Sequence, residues 1–231
     1  MTPTCLLLDL DGTLVDSAPG ITGSVTAALM AVGAPVPDAD TLRSFVGPPM
    51  YQTFREVVGL DEPTAKRALR FYRAEYARTG ALDSRVYDGV PALLEILESA
   101  GLPMAVATSK VEDQAVRITE HYGLAKHMVT VCGTSDAAGR SDKTEVIREC
   151  LRRLRRQGVD ISRPLMVGDR GYDVLSAADV GIPTIRVLWG YGAADESARA
   201  CATVDSPRAL VQRLLSSGEA EDGGLLSHHH S

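Results

Sequence analysis

Hydrophobic positions fall into two kinds of pattern along this chain, and the switch between them divides it. Cys5-Leu6-Leu7-Leu8 is an unbroken apolar run closed by a polar turn, the pattern of a strand buried on both faces of a parallel sheet. From Ser17 to about Leu82 apolar residues recur at helical spacing instead: Ile21, Val25, Leu29 and Val32, then Ala65, Leu69, Tyr72 and Tyr76. From Tyr87 onward strands and helices alternate. The expected strands are Met104–Ala107, Met128–Cys132, Pro164–Val167, Ile185–Leu188 and a weaker one at 202–204. The helices between them carry Leu93, Leu94 and Leu97, the stretch 114–122, the stripe Val146, Ile147, Cys150, Leu151 and Leu154, and finally Leu210, Val211 and Leu214. This alternation predicts an α/β fold with a parallel sheet and right-handed crossovers. The expected division is a core of 1–15 and 84–215, a helical insertion at 16–83, and a polar, Gly-rich tail at 216–231, disordered and in part a tag remnant.

Chemistry-bearing residues stand where the predicted strands end, which is where open α/β sheets place their ligands. Asp9 follows the first strand and Asp11 takes the next same-side position, while Gly12 lets the backbone turn. Two carboxylates so close need a cation or a shared proton. Thr108 ends the second strand, where its hydroxyl can hold an anionic oxygen without adding charge. Lys143 opens a helix, and Asp169 and Asp173 flank a strand–turn–helix junction at a spacing that can hold one hard cation.

Taken together, Asp9-Leu10-Asp11-Gly12-Thr13, Thr108, Lys143 and Gly168-Asp169-Arg170-Gly171-Tyr172-Asp173 resemble, in order and spacing, the four motifs of the haloacid dehalogenase-like hydrolase superfamily. The resemblance spans about residues 4–190 and is closest to the phosphoglycolate-phosphatase and 5'-nucleotidase-like branch. It implies a Rossmann-like sheet of strand order 5-4-1-2-3, with the insertion serving as a mobile cap. It also implies that Asp9 is a nucleophile toward phosphorus and Asp11, present here as in the phosphatases and phosphomutases, a general acid/base. Thr108, Ser109, Lys143 and the loop amides of Leu10, Asp11 and Gly12 would hold the phosphoryl group. Mg2+ would be bound by Asp9, the Asp11 carbonyl, Asp169 and Asp173. The implied activity is hydrolysis of a small phosphate monoester through an aspartyl-phosphate. Phosphate transfer within a sugar phosphate and a phosphoacceptor signalling role are the alternatives. Gly47 and Pro48, in a stiff Gly-Pro-Pro turn of the insertion, and Lys110 and Arg140 are the candidate substrate contacts, each weighed against a plain structural or surface role.

Composition narrows the partners. The 45% hydrophobic and 23% charged fractions are those of an ordinary globular protein. A net charge of −6 argues against a nucleic-acid polymer as ligand. No apolar run approaches membrane-spanning length. Cys5, Cys132, Cys150 and Cys201 lack metal or redox spacing. A cytoplasmic monomer or homodimer is expected, and the Arg152, Arg153, Arg155 and Arg156 cluster is read as a solvated helix face.

Overall fold

The computed structural model describes residues 2–216. Strand β1 (Cys5–Leu8) is followed by the short strand β2 (Val15–Asp16). Helices α1 (Ala18–Val32), α2 (Ala39–Ser44), α3 (Met50–Gln52) and α4 (Glu62–Arg78) come next, and then β3 (Arg85–Val86). Strands and helices alternate thereafter: α5 (Val90–Ser99), β4 (Met104–Val111), α6 (Glu112–His121), β5 (Thr130–Thr134), α7 (Lys143–Arg156), β6 (Pro164–Gly168), α8 (Gly171–Ala178), β7 (Thr184–Val187), β8 (Ala202–Val204) and α9 (Pro207–Leu215). No helix of the described residues is long and apolar enough to cross a membrane. The expected tail lies, from residue 217, outside the described residues.

Six strands form a parallel sheet in the order β5-β4-β1-β6-β7-β8. Counting only these strands along the chain, this is the expected 5-4-1-2-3 order with the weak last strand added at the outer edge. β1 lies at the centre, with Leu8 opposite Val106 on one side and Val167 on the other. All four of its side chains are buried, and their alternation feeds two cores. Cys5 and Leu7 join Val146, Ile147, Cys150 and Leu154 of α7 on one face, and Leu6 and Leu8 join the larger cluster on the other. The strand order reverses at β1, with β4 on one side and β6 on the other, which makes the carboxyl end of the sheet there a crevice.

Two differences from the sequence pattern bear on the site. β2 and β3 pair antiparallel, Val15 with Val86 and Asp16 with Arg85, so the chain enters and leaves the helical insertion side by side. Two-residue strands are too short to show alternation, which is why the pattern missed them. β5 starts two residues later than expected because a turn at Ala125–His127 occupies the approach, and ladder pairing begins only at Thr130.

Local signals explain the helix starts. Asp61 caps α4 by accepting from the Thr64 amide at 2.8 Å, and Asp142 caps α7 by accepting from the Glu145 amide at 2.9 Å. The second cap makes Lys143 the first residue of α7, at the carboxyl edge of the sheet.

Candidate active site

Asp9, Asp11, Thr108, Ser109, Lys143 and Asp173 border one cavity of about 10 Å³ together with Gly47, Arg170 and Tyr172. That volume holds about one water molecule. The insertion is therefore seated over the sheet end, with Gly47 of the loop between α2 and α3 forming part of the roof.

The centre of the site is a buried charge cluster. The Lys143 ammonium, 1% exposed, donates to Asp9 Oδ1 at 2.6 Å and lies 2.8 Å from Asp173 Oδ1. The other Asp173 oxygen accepts from the Arg170 amide at 3.0 Å, so this residue both caps α8 and steadies Lys143. Asp9, Asp169 and Asp173 each bring one carboxylate oxygen to within 4.8 Å of the others. Asp169 is fully buried; its Oδ2 accepts from the Tyr191 amide at 2.7 Å, and its Oδ1 is without a partner. Lys110 lies 3.2 Å from Asp11 Oδ2. The Thr108 hydroxyl accepts from the Lys110 amide at 3.2 Å, which leaves its own proton free to donate.

Four buried carboxylates thus face two ammonium groups, an excess of two negative charges. Arg170 also reaches the cavity but is balanced by Glu196, 3.2 Å away. The imbalance registers in the acids. Burial, and then Asp173, push Asp9 up to about 7 against the pull of Lys143. Burial and the Asp173 and Asp9 charges hold Asp169 well above the usual carboxylate range. Burial opposes the Lys143 ammonium, but Asp173 and Asp9 outweigh it and raise its pKa. An orphaned, buried carboxylate oxygen among hard oxygen donors, with two charges uncompensated, fits a divalent cation. Asp11 is outside the three-carboxylate group; its side chain is turned to Lys110.

The loop after β7 closes the back of the site. Trp189 Nε1 donates to the Thr13 carbonyl at 3.0 Å. A Cβ on Gly190 would stand 2.2 Å from the Gly12 carbonyl and 2.4 Å from Asp169, so only glycine admits this approach. Arg186, fully buried, donates through Nε to the Asp169 carbonyl at 2.8 Å.

Several expected contacts fall elsewhere. Arg140 does not border the cavity: its Nε donates to the Gly133 carbonyl at 2.8 Å and its Nη2 to Glu112 at 2.7 Å, so it braces β5 against α6. Pro48 does not border the cavity, although its neighbour Gly47 does. Lys110 does not border it either. The Gly12 amide is already donated to the Val15 carbonyl at 2.9 Å and is not free for a phosphate oxygen. Arg153 is half-buried rather than wholly solvated, and bonds Glu149, Glu112 and the Val131 carbonyl. Conversely, Arg170 and Tyr172 border the cavity without any sequence signal of their own. Both lie inside the Gly-Asp-x-x-x-Asp stretch as its unspecified positions, and only that placement could have flagged them.

A family model described as haloacid dehalogenase-like hydrolase matches residues 6–187. The chain is 42% identical over 212 residues to the tyrosine-protein kinase PtkA of Mycobacterium tuberculosis, covering 92% of this chain and 71% of that one. It is 40% identical over 191 residues to a 5'-nucleotidase of Pseudomonas aeruginosa, covering 83% and 85%. Among solved structures, a predicted phosphatase from Clostridium acetobutylicum superposes with a TM-score of 0.86 at 37% identity, covering 94% of this chain and all of that one.

Proposed function

The chain belongs to the haloacid dehalogenase-like hydrolases, and from that premise we propose that this phosphoric monoester hydrolase is Mg2+-dependent and cleaves small phosphate esters through an aspartyl-phosphate on Asp9. The observation that carries the reading is the Asp9 carboxylate, fixed by Lys143 at 2.6 Å and bordering the same cavity as Asp11 and Thr108. Nucleophile, acid and phosphoryl-oxygen donor thus converge on one space.

In the first step an Asp9 oxygen bonds to phosphorus and the ester P–O bond breaks, while Asp11 gives its proton to the departing oxygen. Lys143 holds Asp9 in orientation and meets the negative charge on the transferring oxygens, and the Thr108 hydroxyl donates to one of them. In the second step Asp11 takes a proton from water, whose oxygen attacks phosphorus and frees Asp9. Mg2+ held by Asp9, Asp169 and Asp173 would offset the repulsion between the anionic nucleophile and an anionic ester. The space available in this closed form suits the water of the second step, so an ester must enter with the insertion lifted.

Relatives named as a 5'-nucleotidase and a phosphatase favour water as acceptor. The relative named as a tyrosine-protein kinase favours a second reading, in which the phosphoryl group on Asp9 comes from a nucleotide and passes to a phenolic oxygen. The experiment is phosphate release from nucleoside monophosphates, phosphoglycolate, sugar phosphates and p-nitrophenyl phosphate, run beside γ-labelled ATP with a tyrosine peptide. Free phosphate from the monoesters supports hydrolysis. Label on the peptide with no monoester cleaved overturns it.

A further inference from the structure

The turn Trp189-Gly190-Tyr191-Gly192 after β7 meets the end of the sheet on one side and the helical insertion on the other. Its backbone is wedged against the core. The Tyr191 amide donates to Asp169 Oδ2 at 2.7 Å, and a Cβ on Gly192 would collide with the Asp169 carbonyl. The Tyr191 side chain is thus carried on a fixed base. It does not border the catalytic cavity.

Its hydroxyl closes on the root of the insertion. The phenol oxygen donates to Asp16 Oδ1 at 2.5 Å and accepts from the Ala18 amide at 3.0 Å. Asp16 ends β2 and Ala18 opens α1, so this one atom holds the point where the chain enters the insertion. The other Asp16 oxygen accepts from Arg85 Nε, 3.4 Å away on β3, where the chain returns. An ionised acceptor strengthens the phenol bond. The ring makes a further contact: the guanidinium carbon of Arg43, on α2, lies 5.7 Å from its centroid, within cation–π range. Tyr191 therefore meets the insertion twice, at its root and on the helix that leads into the Gly47 roof.

A hold at the root reaches the far side of the insertion. A Cβ on Gly20, in the first turn of α1, would collide with the Gly80 carbonyl, and one on Gly80 would stand 2.9 Å from the Tyr76 ring. α1 thus lies backbone against backbone on the segment that follows α4. Tyr76, on α4, covers Lys110 of the core. The Lys110 ammonium donates to the Tyr76 hydroxyl and sits 4.2 Å from the ring centroid, and its side chain is only 6% exposed. An insertion that lifts uncovers Lys110, whose partners here are Tyr76 and Asp11 rather than Tyr191.

We propose that Tyr191 is a positioning residue for the helical insertion, its hydroxyl fixing the root at Asp16 and Ala18 and its ring seating Arg43, so that the insertion stays closed over the catalytic cavity. The test is acylation of Lys110 by N-succinimidyl acetate on the metal-free chain, followed by peptide mass spectrometry, with the exposed Lys66 and Lys126 as controls. Tyr191→Phe keeps the ring and removes a charge-assisted hydrogen bond, and should raise the Lys110 rate roughly ten-fold. Arg43→Gln removes only the cation and should raise it about two- to three-fold. In Tyr191→Leu, which has no ring, adding Arg43→Gln should raise it no further. Rates at Lys66 and Lys126 should stay at wild-type values. Opening of the insertion leaves the core folded, so the increase should be insensitive to low urea. An increase that grows with urea in step with global unfolding would make Tyr191 a brace of the whole fold and overturn the proposal. A wild-type Lys110 rate in both Tyr191→Phe and Arg43→Gln would overturn it equally, and an Arg43→Gln effect that persists in Tyr191→Leu would remove the ring as the seat. Should Tyr191→Phe not fold, Arg43→Gln decides alone. The labelling needs no turnover, so a chain that frees no phosphate refutes the phosphatase reading without touching this one.

Discussion

Lys143 and Asp9 are 134 residues apart in the chain and 2.6 Å apart in the fold. The ammonium is shared with Asp173 at 2.8 Å, so one side chain from the start of α7 ties the end of β1 to the first turn of α8. Removing it leaves buried carboxylates facing each other. Lys143→Met is expected to destabilise the metal-free protein by about 3–5 kcal/mol in urea denaturation, and to lower kcat by at least roughly 100-fold. Lys143→Arg should not rescue activity, because a planar fork does not fit a pocket shaped for a compact ammonium. Wild-type stability in Lys143→Met would contradict the clamp.

Metal and pH should act on stability together. Asp9 titrates near 7 in the folded, metal-free chain, above its ordinary value of 3.8. The folded state therefore binds more protons than the unfolded state between those values, and metal-free stability falls as pH rises from about 4 to 7. Above that window the charged cluster is at its least favourable, and a divalent cation relieves it most. The Mg2+-induced rise in Tm should be larger at pH 7.5 than at pH 5. A shift independent of pH, or equal in Asp169→Ala, would place the cation elsewhere.

Asp11→Asn keeps the shape of the side chain and removes the transferable proton. Alkyl esters should lose more activity than p-nitrophenyl phosphate, by roughly 10²–10⁴-fold for the former. A Brønsted plot of kcat/KM against leaving-group pKa measures this directly, and an unchanged slope would remove Asp11 from the acid role.

Gly47 is the roof residue whose replacement should alter selectivity. Its φ is +108°, a backbone conformation that side chains resist, and a Cβ there would stand 3.2 Å from Arg170 Cγ. Arg170 Nη1 in turn donates to the Val46 carbonyl at 2.9 Å, so strain at Gly47 passes into the contact between insertion and core. Gly47→Val should change kcat/KM unequally across phosphate esters while leaving Mg2+ affinity and p-nitrophenyl phosphate turnover much less affected. A uniform loss would make the loop a hinge.

What the sequence made legible was whatever sits on a single local pattern. The run Cys5–Leu8 announced the central strand because both its faces are buried, and the acids behind it follow from strand ends. Contacts made between the insertion and the core were not legible. Nothing near Tyr76 in the chain says that it covers Lys110, and nothing near Val46 says that Arg170 reaches its carbonyl. The bonds of Arg140 were not legible for the same reason: nothing beside it in the chain says that its guanidinium is held by the Gly133 carbonyl and Glu112.

The central claim is that Asp9 itself carries the phosphoryl group between the two steps. The direct measurement is a rapid acid quench of Asp11→Asn, in which breakdown of the intermediate is slowed, during turnover of p-nitrophenyl phosphate, followed by peptide mass spectrometry and hydroxylamine treatment. A hydroxylamine-labile phosphoryl group is expected on the peptide containing Asp9, and none in Asp9→Asn. Turnover that persists in Asp9→Asn, or a phosphoryl group found on another residue, would contradict it.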